Sequence, residues 1–133
     1  MKYLLDTNTC IRHLNQRSEA ITRRLASLDS DDIAVCSVVK AELFAGAGKS
    51  NMPSKTLAKQ QRFLNQFISL PFDDTAAVVY GTLRATLEKM GTPIGALDML
   101  IAAIALANNL ILVTHNTSEF SRIKSLELDD WEI

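Results

Sequence analysis

Acidic or amide residues recur along this chain at the ends of apolar runs or just beyond them: Asp6, Glu42, Asp98 and the pair Asn116 and Glu119. Asp6 closes the run Tyr3, Leu4, Leu5. Glu42 and Asp98 interrupt apolar stretches, the first around Val38, Val39, Ala41, Leu43 and Phe44, the second around Leu97, Met99, Leu100 and Ile101. A carboxylate placed against a core must be solvated, paired or bound to a cation, and leaving it uncompensated costs on the order of several kcal/mol. Three such placements ask for a shared partner. No histidine or cysteine stands nearby at ligand spacing, and oxygen donors alone suit a hard divalent ion, Mg²⁺ or Mn²⁺. Such an ion lowers the pKa of a bound water and neutralises charge on a phosphoryl group during in-line displacement, which is the chemistry of a phosphodiesterase or nuclease.

The elements that must position these residues follow from the apolar periodicity. Lys2 to Leu5 predicts a short buried strand, and Asp6, Thr7 and Asn8 supply capping groups for a helix through Ile11 and Leu14. A second helix carries Ile21, Leu25 and Leu28. Ile33 to Val39, β-branched and apolar at consecutive positions, predicts a strand buried on both faces, as parallel sheets require. Helix resumes near Lys40 with Glu42 in its first turn and stops around Gly46 to Gly48, where a loop runs to Ser54. Leu57, Phe63, Leu64 and Phe67 mark an amphipathic helix, Ser69 to Phe72 a short strand, and Thr75 to Met90 another helix. After Gly91, Thr92 and Pro93, the segment 96–108 reads as a buried helix with Asp98 in its first turn. Ile111 to Thr114 is a core strand, Thr117 to Ile123 a short helix, and Leu126 to Ile133 an extended segment.

Strands alternating with helices imply a three-layer α/β/α sandwich with a mainly parallel central sheet, in which ligands bind at the carboxyl ends of the strands. That rule gathers Asp6, the Glu42 helix and Asn116/Glu119 at one edge. The 133 residues are expected to form a single domain, 1–133, with no repeat or linker. Nothing reads as a signal peptide, and the longest apolar stretch, 96–107, is too short to span a membrane, so a cytoplasmic protein without membrane contact is expected. Cys10 and Cys36 read as reduced thiols in or near the core. His13 and His115 read as surface histidines, with no carboxylate at a spacing that would orient either ring. The formal net charge of -1 gives no global attraction to nucleic acid, but Lys40, Lys49, Lys55, Lys59 and Arg62 make one stretch basic and Glu127, Asp129, Asp130 and Glu132 make the tail acidic.

Four segments, taken together, resemble the motifs of PIN-domain proteins, most closely the VapC-type toxins of bacterial toxin–antitoxin modules. They are Leu4-Leu5-Asp6-Thr7-Asn8, Ser37-Val38-Val39-Lys40-Ala41-Glu42-Leu43, Ala96-Leu97-Asp98-Met99-Leu100-Ile101-Ala102 and Val113-Thr114-His115-Asn116-Thr117-Ser118-Glu119-Phe120. The resemblance covers essentially the full length. It implies an Mg²⁺-dependent endoribonuclease in which Asp6, Glu42 and Asp98 hold the metal. Where many members carry a fourth aspartate this chain has Asn116, a neutral ligand, and Glu119 supplies the charge one helical turn later. Thr7, Asn8 and Thr114 are then supporting or phosphate-contacting groups, with capping and turn hydrogen bonds as their alternative role.

The resemblance further implies RNA as substrate, transfer RNA included, and neutralisation by a cognate VapB-like antitoxin. Its carboxy-terminal segment would wrap the helices around residues 54–90 and direct a basic side chain into the acidic site. A homodimer is expected, because two copies of the basic stretch would build a groove for a polyanion. Phosphatases of the haloacid-dehalogenase type also place an aspartate after the first strand, but they need a second aspartate where this chain has Asn8. A PIN scaffold that binds RNA or protein without catalysis is the non-enzymatic alternative, and metal-dependent cleavage of RNA separates the two.

Overall fold

A computed structural model describes all residues, Met1–Ile133. The short apolar runs pair into one five-stranded sheet: β1 (Tyr3–Leu5), β2 (Ile33–Cys36), β3 (Ile68–Leu70), β4 (Ile111–Val113) and β5 (Leu128–Asp129). The spatial order is β3-β2-β1-β4-β5, and every pairing is parallel. Parallel neighbours require crossovers, which α1 (Thr7–Leu14), α2 (Glu19–Ser27), α3 (Ser37–Gly48), α4 (Pro53–Leu64), α5 (Asp74–Lys89), α6 (Ala96–Ala107) and α7 (Thr117–Phe120) provide. From β1 the chain steps outward through β2 to β3, then returns to lay β4 on the other side of β1. Right-handed crossovers therefore put α1 to α4 on one face and α5 to α7 on the other. The order reverses between β1 and β4, and that crevice is where sheets of this kind bind ligands.

The sheet is buried on both faces: Leu4, Leu5, Ala34, Val35, Leu112 and Val113 are inaccessible. Together they belong to a cluster of 31 buried residues that also takes in Ile101 and Ile104 of α6 and Phe120 of α7. Trp131 packs edge-on against Tyr3 at 5.3 Å, which anchors the tail to the central strand β1. Cys10 and Cys36 are free and buried, as expected. No helix is long and apolar enough to cross a membrane.

Several boundaries differ from the expectation, and for one recurring reason: register overrules propensity. The apolar run 33–39 is not one strand. β2 ends at Cys36 because its partner strand β3 ends there too, Cys36 lying opposite Leu70. Ser37, Val38 and Val39 instead open α3, and Val39 is packed out of solvent. Glu42 consequently sits in the second turn of α3 rather than the first. The same helix runs through Gly46 to Gly48, burying Ala47, and the connection shrinks to a few residues before Pro53 starts α4 at its favoured first position. Phe67 lies beyond the end of α4 but still packs edge-on against Phe63 at 5.1 Å. The third strand is Ile68–Leu70 rather than 69–72, α7 is a single turn, and only Leu128–Asp129 of the tail joins the sheet.

Candidate active site

Asp6 directly follows β1 at the reversal point. Its backbone N–H donates to the Val113 carbonyl at 3.1 Å, and its Oδ1 accepts from the Thr9 N–H at 2.8 Å, so the side chain also caps α1. It is 4% exposed. Burial raises its pKa above the ordinary carboxylate value, opposed by hydrogen bonds from Thr114 and Thr9, while the charge of Glu132 adds to the rise. Glu42 reaches in from α3, and its Oε1 accepts from the Thr7 hydroxyl at 2.7 Å. Thr7 thus positions a carboxylate that lies far away in sequence.

Asp98 occupies the first turn of α6, half-buried, and its pKa is pushed up to about 6. Burial is the largest cause, followed by the charges of Glu119, Glu42 and Asp6 and a hydrogen bond with Glu119. The coupling identifies its neighbours: the four acids face one region. Glu119 is the best satisfied of them. Its Oε2 accepts from the Asn116 amide at 2.9 Å and its Oε1 from the Gly95 N–H at 3.1 Å. The Asn116 bond is the main reason its pKa falls, against a smaller opposing effect of burial. A Cβ at Gly95 would stand 3.6 Å from Asp98 Oδ2 and 3.8 Å from Glu119 Oε1, so backbone floors the gap between these two carboxylates.

None of Asp6, Glu42, Asp98 and Glu119 forms an ion pair with a lysine, arginine or histidine; the chain's ion pairs lie elsewhere. A half-buried group of acids without an ion-pair partner, one member of which has a raised pKa, fits a divalent ion, and its donors are all oxygen. The oxygens are not gathered to a point. The one set of three potential ligands whose donor atoms all lie within 4.8 Å of one another is His115, Asp130 and Glu132. Three carboxylates of the main group lean instead on their own donors: Thr9 for Asp6, Thr7 for Glu42, and Asn116 with Gly95 for Glu119. Convergence of Asp6, Glu42 and Asp98 is therefore electrostatic in this structure rather than a closed ligand shell.

The remaining expected residues separate by exposure. Thr114 is fully buried, its hydroxyl accepts from the Asn116 N–H at 3.0 Å, and it lowers the Asp6 pKa against the effect of burial. It cannot touch a phosphate; it braces the acids. Asn8 is exposed and lines a cavity of about 440 Å³ with Arg12, His115, Asn116 and Glu132. His115 is exposed, as read from the sequence, but two contacts in that cavity escaped the sequence reading. His115 does have an orienting carboxylate: its Nδ1 lies 2.9 Å from Asp130 Oδ2. Arg12 Nε donates to Glu132 Oε1 at 3.0 Å. The acidic tail and the first helix meet only in the tertiary fold, so spacing carried no signal for either pair.

Comparison with known proteins places this geometry. The family profile described as the PIN domain matches residues 3–126. The chain is 37% identical over 131 residues to the tRNA(fMet)-specific endonuclease VapC of Salmonella typhimurium, covering 98% of each. It is 38% identical over 133 residues to Ribonuclease VapC2 of Rickettsia felis, covering 99% of each. The crystal structure of DNA-bound VapBC from Salmonella typhimurium superimposes with a TM-score of 0.94 at 37% identity, covering 98% of both chains.

Proposed function

The chain belongs to the PIN-domain family, and on that premise we propose that it is a divalent-metal-dependent endoribonuclease of the VapC type, the toxin of a toxin–antitoxin pair. The observation that carries the reading is the group Asp6, Glu42, Asp98 and Glu119: burial, reinforced by the charges of the other three acids, pushes Asp98 up to about 6, and none of the four is ion-paired within the chain. We assign the metal to Asp6, Glu42 and Asp98, with the free amide oxygen of Asn116 as a fourth donor and Mg²⁺ or Mn²⁺ as the ion. When bound, the ion supplies an activated water and neutralises charge building on the phosphoryl oxygens. The chain's own residues do the rest. Thr7 and Thr9 hold Glu42 and Asp6 in place, and Asn116 and Gly95 hold Glu119.

Transfer RNA is the proposed substrate, by likeness to the Salmonella enzyme. Control falls to a partner, an antitoxin like the one in the related VapBC complexes. An arginine or lysine from it, inserted between uncompensated carboxylates, would stand where the metal's charge belongs. A homodimer would double the basic stretch of α3 and α4 against a polyanion.

Incubating the purified protein with transfer RNA, with Mg²⁺ or with chelator, and mapping the cut ends tests the proposal. In-line attack by water with the 3′ oxygen leaving gives 5′-phosphate and 3′-hydroxyl ends in the Mg²⁺ arm only. Cyclic 2′,3′-phosphate ends, or cutting that survives chelation, would reject it. Co-expression with the adjacent small open reading frame should abolish cutting.

A further inference from the structure

An all-acid centre repels the polyanion it must cut, so groups that attract the RNA backbone have to lie beside it. Resting on the ribonuclease reading above, we infer that Arg12 and His115 form an anion subsite for a backbone phosphate next to the one being cleaved. The cavity they share with Asn8, Asn116 and Glu132, about 440 Å³, adjoins the acids through Asn116, whose amide bonds Glu119, and through Glu132, whose charge is felt at Asp6. Both side chains are exposed yet fixed. The Arg12 guanidinium is held by Glu132 through Nε and by the Arg17 carbonyl through Nη2, at 3.0 and 3.2 Å, which leaves the Nη1 donors uncommitted. His115 is held through Nδ1 by Asp130, which leaves Nε2. Asp130 is fixed in turn by the Glu132 N–H at 3.0 Å.

The same three residues, His115, Asp130 and Glu132, are close enough to resemble a second metal site, but their bonding argues otherwise. Glu132 is already neutralised by Arg12, and the His115 nitrogen that would bind an ion already faces Asp130. In the acidic centre the carboxylates have no ion-pair partner; here they serve as struts that aim two donors outward. Asp130 and Glu132 are positioning residues, and Arg12 and His115 are the groups that touch phosphate.

Steady-state cleavage of transfer RNA by the full chain with Mg²⁺, repeated across a range of salt concentrations, tests the subsite. Arg12→Ala should raise KM about tenfold with little change in kcat, and should lower the slope of log KM against log salt by about 1, the signature of one lost phosphate contact. Arg12→Lys should restore the slope, because it keeps the charge. His115→Ala should raise KM about threefold, and His115→Gln, which keeps an N–H donor, should recover part of that. Both positions are exposed, so thermal melts of the variants should match the wild type. Unaltered KM and slope in both alanine variants would overturn the inference, and so would a raised KM with an unchanged slope, since that marks Arg12 as a brace for the tail. A wild-type protein that cuts no RNA would overturn the ribonuclease reading itself.

Discussion

Two clusters of carboxylates lie side by side at the carboxyl ends of the strands, and they are treated in opposite ways. Asp6, Glu42 and Glu119 receive hydrogen bonds from hydroxyl, amide and backbone groups, neither they nor Asp98 are ion-paired, and burial together with the other three charges raises the pKa of Asp98. Asp129, Asp130 and Glu132 are paired with Arg24, His115 and Arg12. Equal chemistry in sequence thus becomes the proposed cation seat in one place and scaffolding in the other. What separates them is whether the fold delivers an ion-pair partner.

The largest effect should come from emptying the seat. Asp98→Asn, which keeps the shape and removes the charge, should lower cleavage on the order of a thousandfold. Asp6→Asn should do the same while keeping the α1 cap, whereas Asp6→Ala should also lose about 1 kcal/mol of stability, because the side chain caps Thr9. A smaller loss, about ten- to a hundredfold, is expected for Thr7→Val, which removes the hydroxyl that aims Glu42, and it should appear in metal affinity measured by calorimetry as well as in rate.

The pH dependence of stability separates the clusters further. The Asp98 pKa is raised in the folded protein from 3.8 to about 6, so its contribution is fully present below the lower value and is lost as pH rises through the upper one. In chelator, wild type should therefore lose stability relative to Asp98→Asn between about pH 4 and pH 6, and the variant should melt higher at neutral pH. Melts showing the variant less stable at neutral pH would mean that Asp98 is a structural group. The smallest effect is expected in the paired cluster. Glu132→Gln should change stability by less than about 1 kcal/mol, since the Arg12 partner is largely exposed and water replaces what it loses.

The acids of the seat were legible because each breaks a rule: a charge among β-branched and aliphatic neighbours is conspicuous in a linear chain, and Asp6, Glu42 and Asp98 each interrupt or close such a run. Glu119 and Asn116 were legible from their place after the last core strand. Boundaries were less so. Val38 and Val39 have strand chemistry but lie in α3, since β2 has partners only as far as Cys36. Thr114 was legible as part of a core strand, but nothing local reveals that its hydroxyl receives the Asn116 N–H beside the acids.

By itself the sequence determined the alternation of strand and helix, and hence a parallel sheet with acids at its carboxyl edge, because hydrophobic period and capping chemistry are local properties that survive any arrangement in space. Only the tertiary structure decided which of those acids go without a partner. Arg12 finds Glu132 and His115 finds Asp130 across long stretches of chain because Trp131 docks the tail against Tyr3 beside β1. Charge compensation is a matter of distances of a few ångströms, and those are set by how the elements pack rather than by the order in which they are strung.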